Sequence, residues 1–496
     1  MGSQRILAID QGTTSTRAVM FDAAGKPLAT SQKPLPQIYP ADGWVEHDPE
    51  EIWRATLDVC RAVIADTGGP ENIAAVGITN QRETSVVWNR RTGKPVMNAI
   101  VWQDRRGAPL CDSLRAAGHE NRIRDKTGLL VDSYFSATKV RWILDNVPDA
   151  RAAAVRGDLA FGTIDCFLLW RLTGGRVHAT DATNAARTML YDIHAGQWDD
   201  DLLALFDVPR ALLPDVRDTA ADFGTTDPAL FGRALPVAAL VGDQHGALVG
   251  QACFAPGMVK STYGTGCFVL VNTGTKALPS HNRLLTTIAY RLNGETTYAL
   301  EGSIFNAGTV IQWLRDSVKM IAHAADSERM AMALDNSESA GRVYFVPAFT
   351  GLGAPHWDPD ARGAILGLTR DSGIGHIVRA GLESVCYQTN DLLTALRQDG
   401  ITSLPALRVD GGMIANNWLL QFLADITQIP VERPVYTETT VLGAALLAGL
   451  GCGLFASVTD IQAAWRLDFR AMPRMDEKRR AGLLSGWQDA VSRVMR

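Results

Sequence analysis

Two stretches of the chain place a short turn rich in Gly and Thr between two apolar runs. The first is ILAIDQGTTSTRAVMFD at residues 6–22, and the second is GMVKSTYGTGCFVLVNTG at residues 257–274. Apolar, β-rich runs joined by such a turn predict strand hairpins. The tip of the first hairpin consists of Asp10, Gln11, Gly12, Thr13 and Thr14. The second hairpin follows about 250 residues later, which indicates an internal duplication at the level of topology.

A helical pattern follows the first hairpin in HDPEEIWRATLDVCRAVIAD, residues 47–66. Asp48 is predicted to be the N-cap and Pro49 the first helical residue. The predicted buried face consists of Ile52, Val59, Cys60 and Val63. Further strands are predicted in IAAVGIT, TSVVWN and PVMNAIVW. Each half of the chain is therefore expected to be a strand-rich α/β domain.

One stretch, TTVLGAALLAGLGCGLFASVT from Thr439 to Thr459, carries no charge and is long enough to span a bilayer. Three of its four glycines lie within five residues, which is typical of a helix end followed by a tight turn. No basic flank or aromatic belt orients it. We therefore expect a core helix and a turn, and no membrane insertion.

Composition narrows the possible partners. The chain has 496 residues, 46% hydrophobic and 20% charged, as soluble globular proteins have. The net charge of -5 gives no general electrostatic attraction to nucleic acid or to anionic membranes, so small molecules are the expected partners. The seven cysteines are scattered without a CxxC pair, and no secretory signal pattern is visible. A cytoplasmic location is expected.

The familiar nucleotide-binding signatures GxxxxGK[ST] and GxGxxG after a strand are absent from the sequence. A Gly and Thr hairpin tip can instead direct backbone N–H groups and hydroxyls at phosphate oxygens. Asp10, at the end of the first strand, is a candidate for holding Mg²⁺ through water. The alternative is an ordinary turn, because Gly and Thr suit turns in any case.

A second candidate site lies in ALPVAALVGDQHGALVGQ, where an apolar strand leads directly into Asp243. A carboxylate at the carboxyl edge of a strand in an α/β sheet stands where ligands commonly bind. The alternative is that Asp243 caps the helix that follows.

The third candidate is NQRET, where Arg82 and Glu83 follow a buried-looking strand. They either contribute to a site or form a solvated turn. Trp102, Tyr134 and Phe268 either wall a substrate pocket or fill the core. The nine histidines show no metal-binding spacing, so no metal role is expected for them.

Ten blocks of the sequence, in order from residue 6 to about 450, resemble the FGGY carbohydrate kinases. They are IDQGTTSTRAVMFD, GWVEHDPEEIW, GITNQRET, NAIVWQ, YFSATKVRWILDN, GDQHGALVGQ, STYGTGCF, ALEGSIFNAG, PAFTGLGAPHWDP and RVDGGMIANN. The resemblance implies an α/β fold of two ribonuclease-H-like domains around a central cleft, as in the actin-like ATPases. The expected domains are residues 1–250, for substrate and phosphate binding, and residues 251–496, for nucleotide binding.

Within the family, the blocks are most similar to members that phosphorylate glycerol to sn-glycerol 3-phosphate with ATP and Mg²⁺. The resemblance implies Asp243 as general base. The implied glycerol-contacting residues are Arg82, Glu83, Trp102, Tyr134, Asp243, Gln244 and Phe268. The implied nucleotide-binding residues are Thr13, Thr14, Ser15, Arg17, Thr265, Gly308, Gln312, Gly412 and Asn416. A homo-oligomer, dimer or tetramer, is also implied.

Two alternatives stay open at this point. One is a kinase for another small polyol or a pentulose, and the other is a non-catalytic nucleotide switch of the actin-like superfamily. The sequence also departs from the family. Only Gly232 and Arg233 remain of the glycine-rich loop through which some bacterial members bind fructose 1,6-bisphosphate, so that inhibition is not expected. The last 40 residues resemble the family only weakly.

Overall fold

The computed structural model describes residues 4–334, 343–358 and 360–495. The strands of its first half are β1 (Arg5–Gln11), β2 (Ser15–Asp22), β3 (Pro27–Pro34), β4 (Glu46–His47), β5 (Ile73–Asn80), β6 (Val86–Asn89), β7 (Ala99–Ile100), β8 (Leu159–Gly162), β9 (Ala179–Asp181), β10 (Tyr191–Asp192), β11 (Gln197–Trp198), β12 (Asp215–Arg217) and β13 (Val237–Gly242). The helices of this half are α1 (Pro49–Asp66), α2 (Ala108–Ala116), α3 (Glu120–Thr127), α4 (Ser136–Asn146), α5 (Ala150–Val155), α6 (Ile164–Leu172), α7 (Ala182–Ala185), α8 (Asp200–Phe206), α9 (Pro228–Phe231) and α10 (Asp243–Gly250), with a 3₁₀ turn at Arg210–Leu212.

The second half continues the numbering. Its strands are β14 (Val259–Tyr263), β15 (Cys267–Gly274), β16 (Leu285–Leu292), β17 (Glu295–Ile304), β18 (Tyr344–Val346), β19 (Ala364–Leu366), β20 (Leu407–Asp410), β21 (Val431–Pro434) and β22 (Leu467–Ala471). Its helices are α11 (Gly308–Gln312), α12 (Asp326–Ala333), α13 (Ile374–Gln398), α14 (Asn417–Thr427), α15 (Thr439–Gly451), α16 (Val458–Ala464) and α17 (Glu477–Ser492), with a π-helical turn at Trp313–Ser317 and a 3₁₀ turn at Gly412–Ala415.

Two sheets of related topology organise the part of the chain that the structure describes. The first sheet has the strand order β13-β5-β1-β2-β3, with β1, β2 and β3 antiparallel and β5 and β13 parallel to β1. The second has the order β16-β17-β15-β14-β20-β21-β22, with β14, β15 and β17 antiparallel and β20 and β21 parallel to β14. Three antiparallel strands followed by two parallel strands occur in both sheets. The α/β fold and the internal duplication predicted from the two hairpins are therefore confirmed.

The predicted helix after the first hairpin is α1. It begins at Pro49, and the side chain of Asp48 accepts a hydrogen bond from the backbone N–H of Glu50 at 2.8 Å. The predicted buried face is completely inaccessible at Ile52, Val59, Cys60 and Val63. This face packs against the first sheet in one hydrophobic cluster with Leu7, Ile9 and Met20.

The uncharged stretch from Thr439 forms α15, whose residues from Thr439 to Gly449 are buried apart from Thr440, and then turns through Gly453 at φ 76°. This helix lies against α10, and a Cβ placed on Gly443 would overlap the carbonyl oxygen of Gly246. A Cβ on Gly77 in β5 would likewise overlap the carbonyl oxygen of Ala444. The prediction of a core helix is confirmed, and among the described residues no helix is long and apolar enough to cross a membrane.

Candidate active site

The tip of the first hairpin carries hydroxyl groups that face other elements of the first half. The N–H of Gly12 donates to the carbonyl oxygen of Ser15 at 3.0 Å and closes the tip. The Thr13 hydroxyl accepts from the indole Nε1 of Trp102 at 2.9 Å, and the Ser15 hydroxyl accepts from Gln32 at 2.8 Å. Because a hydroxyl that accepts one hydrogen bond still has its own proton to donate, both groups remain donors for an anion. Thr14, between them, is exposed.

Asp10 and Arg17 face each other across this hairpin, as partners in the strand register. Arg17 also forms an ion pair with Glu438, the residue before α15. Burial raises the pKa of Asp10 to about 7; Arg17 lowers it, and the charges of Asp243 and Glu438 raise it further. Two carboxylates whose charges repel each other favour a cation between them.

The second hairpin is packed against the start of α11. The N–H of Gly264 donates to Gly266 O at 2.9 Å, and the carbonyl oxygen of Thr265 accepts from the N–H groups of Ala307 and Thr309 at 3.0 and 3.2 Å. Gly308 donates to Gly264 O at 2.9 Å, and a Cβ on Gly308 would lie 2.5 Å from that oxygen. Thr265 and Gly308 are therefore brought together by a backbone approach that only glycine allows.

The remaining nucleotide candidates are Gly412, Gln312 and Asn416. Gly412 follows β20, and a Cβ placed there would meet no atom within 4 Å. Gln312 lies at the end of α11 and is exposed. The side chain of Asn416 caps α14, since its Oδ1 accepts from Leu419 N at 2.8 Å. The first hairpin thus carries Thr13, Thr14, Ser15 and Arg17, and the second brings Thr265 together with Gly308.

Arg82 and Glu83 follow β5 and are buried, with 3% and 1% of their surface exposed, so the solvated-turn interpretation is wrong. Glu83 has a positive φ of 60°. The guanidinium of Arg82 contacts Asp243 through Nε at 3.2 Å and Tyr134 Oη through Nη2 at 3.4 Å. The turn after β5 therefore points a buried cation at the start of α10.

Two further charged residues that the sequence did not single out complete this cluster. Glu301, in β17 of the second sheet, accepts from both Nη atoms of Arg82, with Nη2 at 2.9 Å, and from Nη2 of Arg187 at 3.1 Å. Arg187, which follows α7, donates through Nε to Glu83 at 2.6 Å. Both Glu301 and Arg187 are fully buried. The available signal was a lone glutamate within the apolar run ALEGSIF, because a buried charge needs a partner.

Asp243 is the first residue of α10, directly after β13. Its carboxylate accepts from its neighbour's backbone, Gln244 N, at 2.7 Å. The N-cap of α10 is Gly242, and Asp243 is already the first helical residue, so the interpretation of Asp243 as the helix cap is wrong. Its side chain is 29% exposed, unlike the other charged groups of the cluster. Burial raises the pKa of Asp243 above its ordinary value, and Arg82 opposes this shift. A raised pKa makes a carboxylate a stronger proton acceptor.

Gln244 is held by Lys260, another residue that the sequence analysis did not identify. The Nζ of Lys260 in β14 donates to Gln244 Oε1 at 2.5 Å, to Thr262 Oγ1 at 2.9 Å and to Phe268 O at 3.3 Å. Burial lowers the pKa of Lys260, while nearby Asp410 raises it. The amide oxygen of Gln244 is therefore occupied, and its amide nitrogen is the end left to bind another group.

Three aromatic rings border the same cluster. Trp102 packs edge-on against Tyr134 with ring centroids 5.5 Å apart and against Phe268 at 6.3 Å. All three side chains are partly exposed and do not belong to the fully buried core. The wall interpretation fits this placement better than the core interpretation. The predicted substrate residues therefore form one cluster, with contributions from both halves of the chain.

The model of the FGGY carbohydrate kinase N-terminal domain matches residues 5–250, and that of the C-terminal domain matches residues 259–452. The chain belongs to the FGGY family of carbohydrate kinases. Among curated FGGY relatives, it is 61% identical to glycerol kinase 1 of Pseudomonas aeruginosa over 493 residues, which cover 99% of each chain. It is also 61% identical to the glycerol kinase of Rhodospirillum centenum over 490 residues, covering 99% of this chain and 98% of that one.

Two solved structures share the whole fold. The glycerol kinase of Plasmodium falciparum, crystallised with ADP, superposes with a TM-score of 0.92 at 38% identity, covering 100% of this chain and 99% of that one. The gluconate kinase of Lactobacillus acidophilus superposes with a TM-score of 0.89 at 22% identity, covering 99% of this chain and 98% of that one. The second likeness concerns the fold alone.

Proposed function

We propose that the protein transfers the γ-phosphoryl group of ATP to a terminal hydroxyl of glycerol and forms sn-glycerol 3-phosphate. The observation that carries this proposal is the position of Asp243. Its partly exposed carboxylate adjoins Arg82 on one side and interacts electrostatically with Asp10 of the first hairpin on the other. The names of the relatives at 61% identity support glycerol as the acceptor.

The acceptor pocket suits a three-carbon triol. Trp102 and Phe268 offer apolar surface to the carbon edge, while the guanidinium of Arg82 and the free amide nitrogen of Gln244 offer donors to hydroxyl oxygens. Glu83 is an acceptor for a hydroxyl proton. A site that bonds each hydroxyl rejects analogues that lack one, because its own buried polar groups then stay unpaired.

In the reaction, the Asp243 carboxylate accepts the proton of the terminal hydroxyl as that oxygen attacks the γ-phosphorus. The new bond joins the glycerol oxygen to phosphorus, and the bond that breaks joins phosphorus to the oxygen of the departing ADP. The site promotes this transfer mainly by holding the attacking oxygen in line with the leaving oxygen. The raised pKa of Asp243 makes its carboxylate a better proton acceptor than an ordinary aspartate.

The two hairpins are proposed to hold the nucleotide. The first offers the hydroxyls of Thr13, Thr14 and Ser15 and the charge of Arg17 to the terminal phosphates. The second offers Thr265. Around the nucleoside we place Gly308, Gln312, Gly412 and Asn416. Residues 1–250 would then supply most of the acceptor and phosphate contacts, with Phe268 added to the acceptor pocket from the second half, and residues 251–496 would supply the nucleoside contacts.

The chain also has a place for Mg²⁺ beside the nucleotide. Asp10 is a partly buried carboxylate with a pKa raised to about 7, and the charge of a second carboxylate, Asp243, acts on it. Carboxylate oxygens are ligands that suit a hard cation. We propose that Asp10 holds the ion through water. When bound with ATP, Mg²⁺ would offset the negative charge of the phosphates.

Two alternative functions make different demands on the site. A kinase for pentuloses or other polyols shares the fold, and a wider, more polar pocket than that of Trp102, Tyr134 and Phe268 would serve it better. A nucleotide switch without an acceptor needs no base, so the position of Asp243 argues against it.

We also propose a compartment and an assembly state for the protein. The described cysteines are free thiols, six buried and Cys452 exposed, which supports a reducing compartment such as the cytoplasm. A homodimer or homotetramer follows from the family resemblance alone. Light scattering on the purified protein would measure that state.

The test is ADP release with ATP and Mg²⁺ across glycerol, dihydroxyacetone, xylulose, ribulose, erythritol and no acceptor, with Asp243→Asn as the control. We expect fast turnover with glycerol that the variant loses. Faster turnover with a pentulose would reject glycerol as the substrate but keep a sugar kinase. Turnover no faster than without acceptor would leave the nucleotide switch.

A further inference from the structure

The acceptor cluster contains a carboxylate, Glu301, whose side chain accepts hydrogen bonds from two arginines. Glu301 reaches the cluster from β17 of the second sheet, while Arg82 and Arg187 come from the first half of the chain. It is fully buried and binds both arginines. We propose that Glu301 is a positioning residue for glycerol binding, which holds the Arg82 guanidinium toward the substrate and keeps it from pairing more closely with Asp243.

Glu301 fixes the orientation of the Arg82 guanidinium. The two oxygens of Glu301 accept from Nη1 and Nη2 of Arg82, so the carboxylate binds the guanidinium along the edge formed by its two Nη atoms. A bidentate pair of this kind fixes the plane of the group as well as its position. Nε of Arg82 faces Asp243, at 3.2 Å. The orientation of Arg82 is therefore set from the second half of the chain.

Glu301 also supplies negative charge to the two buried arginines of the cluster. Two buried guanidinium groups, Arg82 and Arg187, need negative partners because each is removed from water. Glu83 pairs with Arg187 at 2.6 Å but is 3.9 Å from the Nε of Arg82. Without the charge of Glu301, Asp243 would be the nearest carboxylate for Arg82. A base held in that ion pair would be withdrawn from the substrate hydroxyl.

Glu301 itself stays ionised. Burial alone would raise its pKa, but Arg187 and Arg82 together hold that pKa well below its usual range. The other titratable and charged groups whose fields reach it are Glu83, Tyr134, Asp243, His245 and Lys260. Glu301 is thus a permanent anion rather than a proton carrier, which makes its role one of position.

The test, which rests on the proposed function, compares Glu301→Gln and Glu301→Asp with the intact protein in steady-state assays that vary glycerol and ATP separately. Gln keeps the shape but turns an N–H toward one of the arginines, so we expect the KM for glycerol to rise at least about tenfold and the KM for ATP to change less than about twofold. Asp keeps the charge but is one methylene shorter. We expect it to raise the KM for glycerol only about threefold.

A matched control is Glu383→Gln. Glu383 is a buried glutamate that pairs with Arg379 at 2.7 Å within α13, far along the second half from this cluster. This change is expected to lower the melting temperature without altering the ratio of the two KM values. It measures what the loss of a buried ion pair does when no substrate residue is involved.

Unchanged KM values for glycerol in Glu301→Gln, or equal rises for glycerol and ATP, would overturn the positioning role. If Glu301→Gln does not fold, Glu301→Asp decides, and an unchanged ratio of KM values would again overturn it. The proposed function is tested separately, by the turnover of the intact protein. If the intact protein turns over another polyol and not glycerol, glycerol is rejected as the substrate, and the KM values of the Glu301 variants are compared for that polyol and ATP. If it turns over no acceptor, both proposals are rejected.

Discussion

Gly246 and Gly443 touch backbone to backbone where α10 crosses α15. A Cβ on Gly443 would overlap the carbonyl oxygen of Gly246, and a Cβ on Gly246 would lie 2.9 Å from Thr440 O. Asp243 begins the same helix as Gly246, less than one turn earlier. The crossing therefore fixes the proposed base relative to the second half of the chain.

The close contact of α10 and α15 predicts that any side chain at Gly443 lowers the free energy of unfolding. Gly443→Ala would force the two helices apart, and we expect a loss of at least about 2 kcal/mol of stability, as overpacking against a rigid backbone produces. Thermal unfolding followed by circular dichroism measures it. The control is Gly482→Ala in α17, where a Cβ would meet no atom within 4 Å. That change should raise stability by about 0.5–1 kcal/mol, since Ala favours helices over Gly. Equal effects of the two changes would contradict the close approach.

The base assignment makes a kinetic prediction. Asp243→Asn keeps the shape of the side chain but removes proton acceptance, so we expect kcat to fall at least about 100-fold. Glycerol binding, measured by calorimetry, should stay within about tenfold, because the other pocket contacts remain. Retained turnover in the variant would exclude Asp243 as the base.

The contact between Lys260 and Gln244 predicts which end of the amide meets the substrate. Gln244→Glu keeps an oxygen for Lys260 but removes the amide N–H donors, so the KM for glycerol should rise at least about fivefold while the KM for ATP changes little. Gln398→Glu, an exposed position at the end of α13, adds the same charge away from the site and should change neither KM. A Gln244→Glu protein with an unaltered KM for glycerol would mean that the amide nitrogen does not bind it.

A buried carboxylate outside the site predicts a pH effect on stability. Burial raises the pKa of Asp165 to about 7, although hydrogen bonds from Thr163 and Thr180 lower it. The folded protein therefore binds this proton more tightly than the unfolded chain does. The stability that Asp165 provides is then present below about pH 4 and is lost as the pH rises to about 7, by up to about 1.4 kcal/mol per pH unit.

Asp165→Asn removes this titration. The melting temperature of the intact protein minus that of the variant should fall as the pH rises from 4 to 7 and then stay level. Thermal unfolding in buffers from pH 4.5 to 8.5 gives this difference directly. A difference independent of pH would mean that Asp165 is ionised throughout the range.

The elements that the sequence predicted are those whose signals are local. Both hairpins, α1 with its Asp48 cap and the buried α15 follow from periodicity and turn residues within about 20 positions. Asp243 was found for the same reason, because it stands between an apolar strand and a helix. The resemblance to the family added the roles of residues such as Tyr134, which no local pattern distinguishes from core.

The part of the site that the sequence did not reveal depends on contacts between distant positions. Glu301 lies 219 residues from Arg82 and 114 from Arg187 along the chain. A glutamate in an apolar strand indicates that a partner exists, but its identity depends on how two sheets pack. Lys260 was missed similarly, since the pattern of β14 does not indicate that its amine reaches Gln244.

Glu301 and Lys260 both lie in the second half of the chain, which limits the chimeras that can be made from this kinase and its relatives. Their partners, Arg82 and Gln244, are encoded by the first half, so neither half carries a complete acceptor site. A chimera that joins residues 1–250 to the second half of a relative will recognise its substrate only if that relative has a glutamate and a lysine at the equivalent strand positions. We therefore expect the substrate preference to depend on both halves of the chain together.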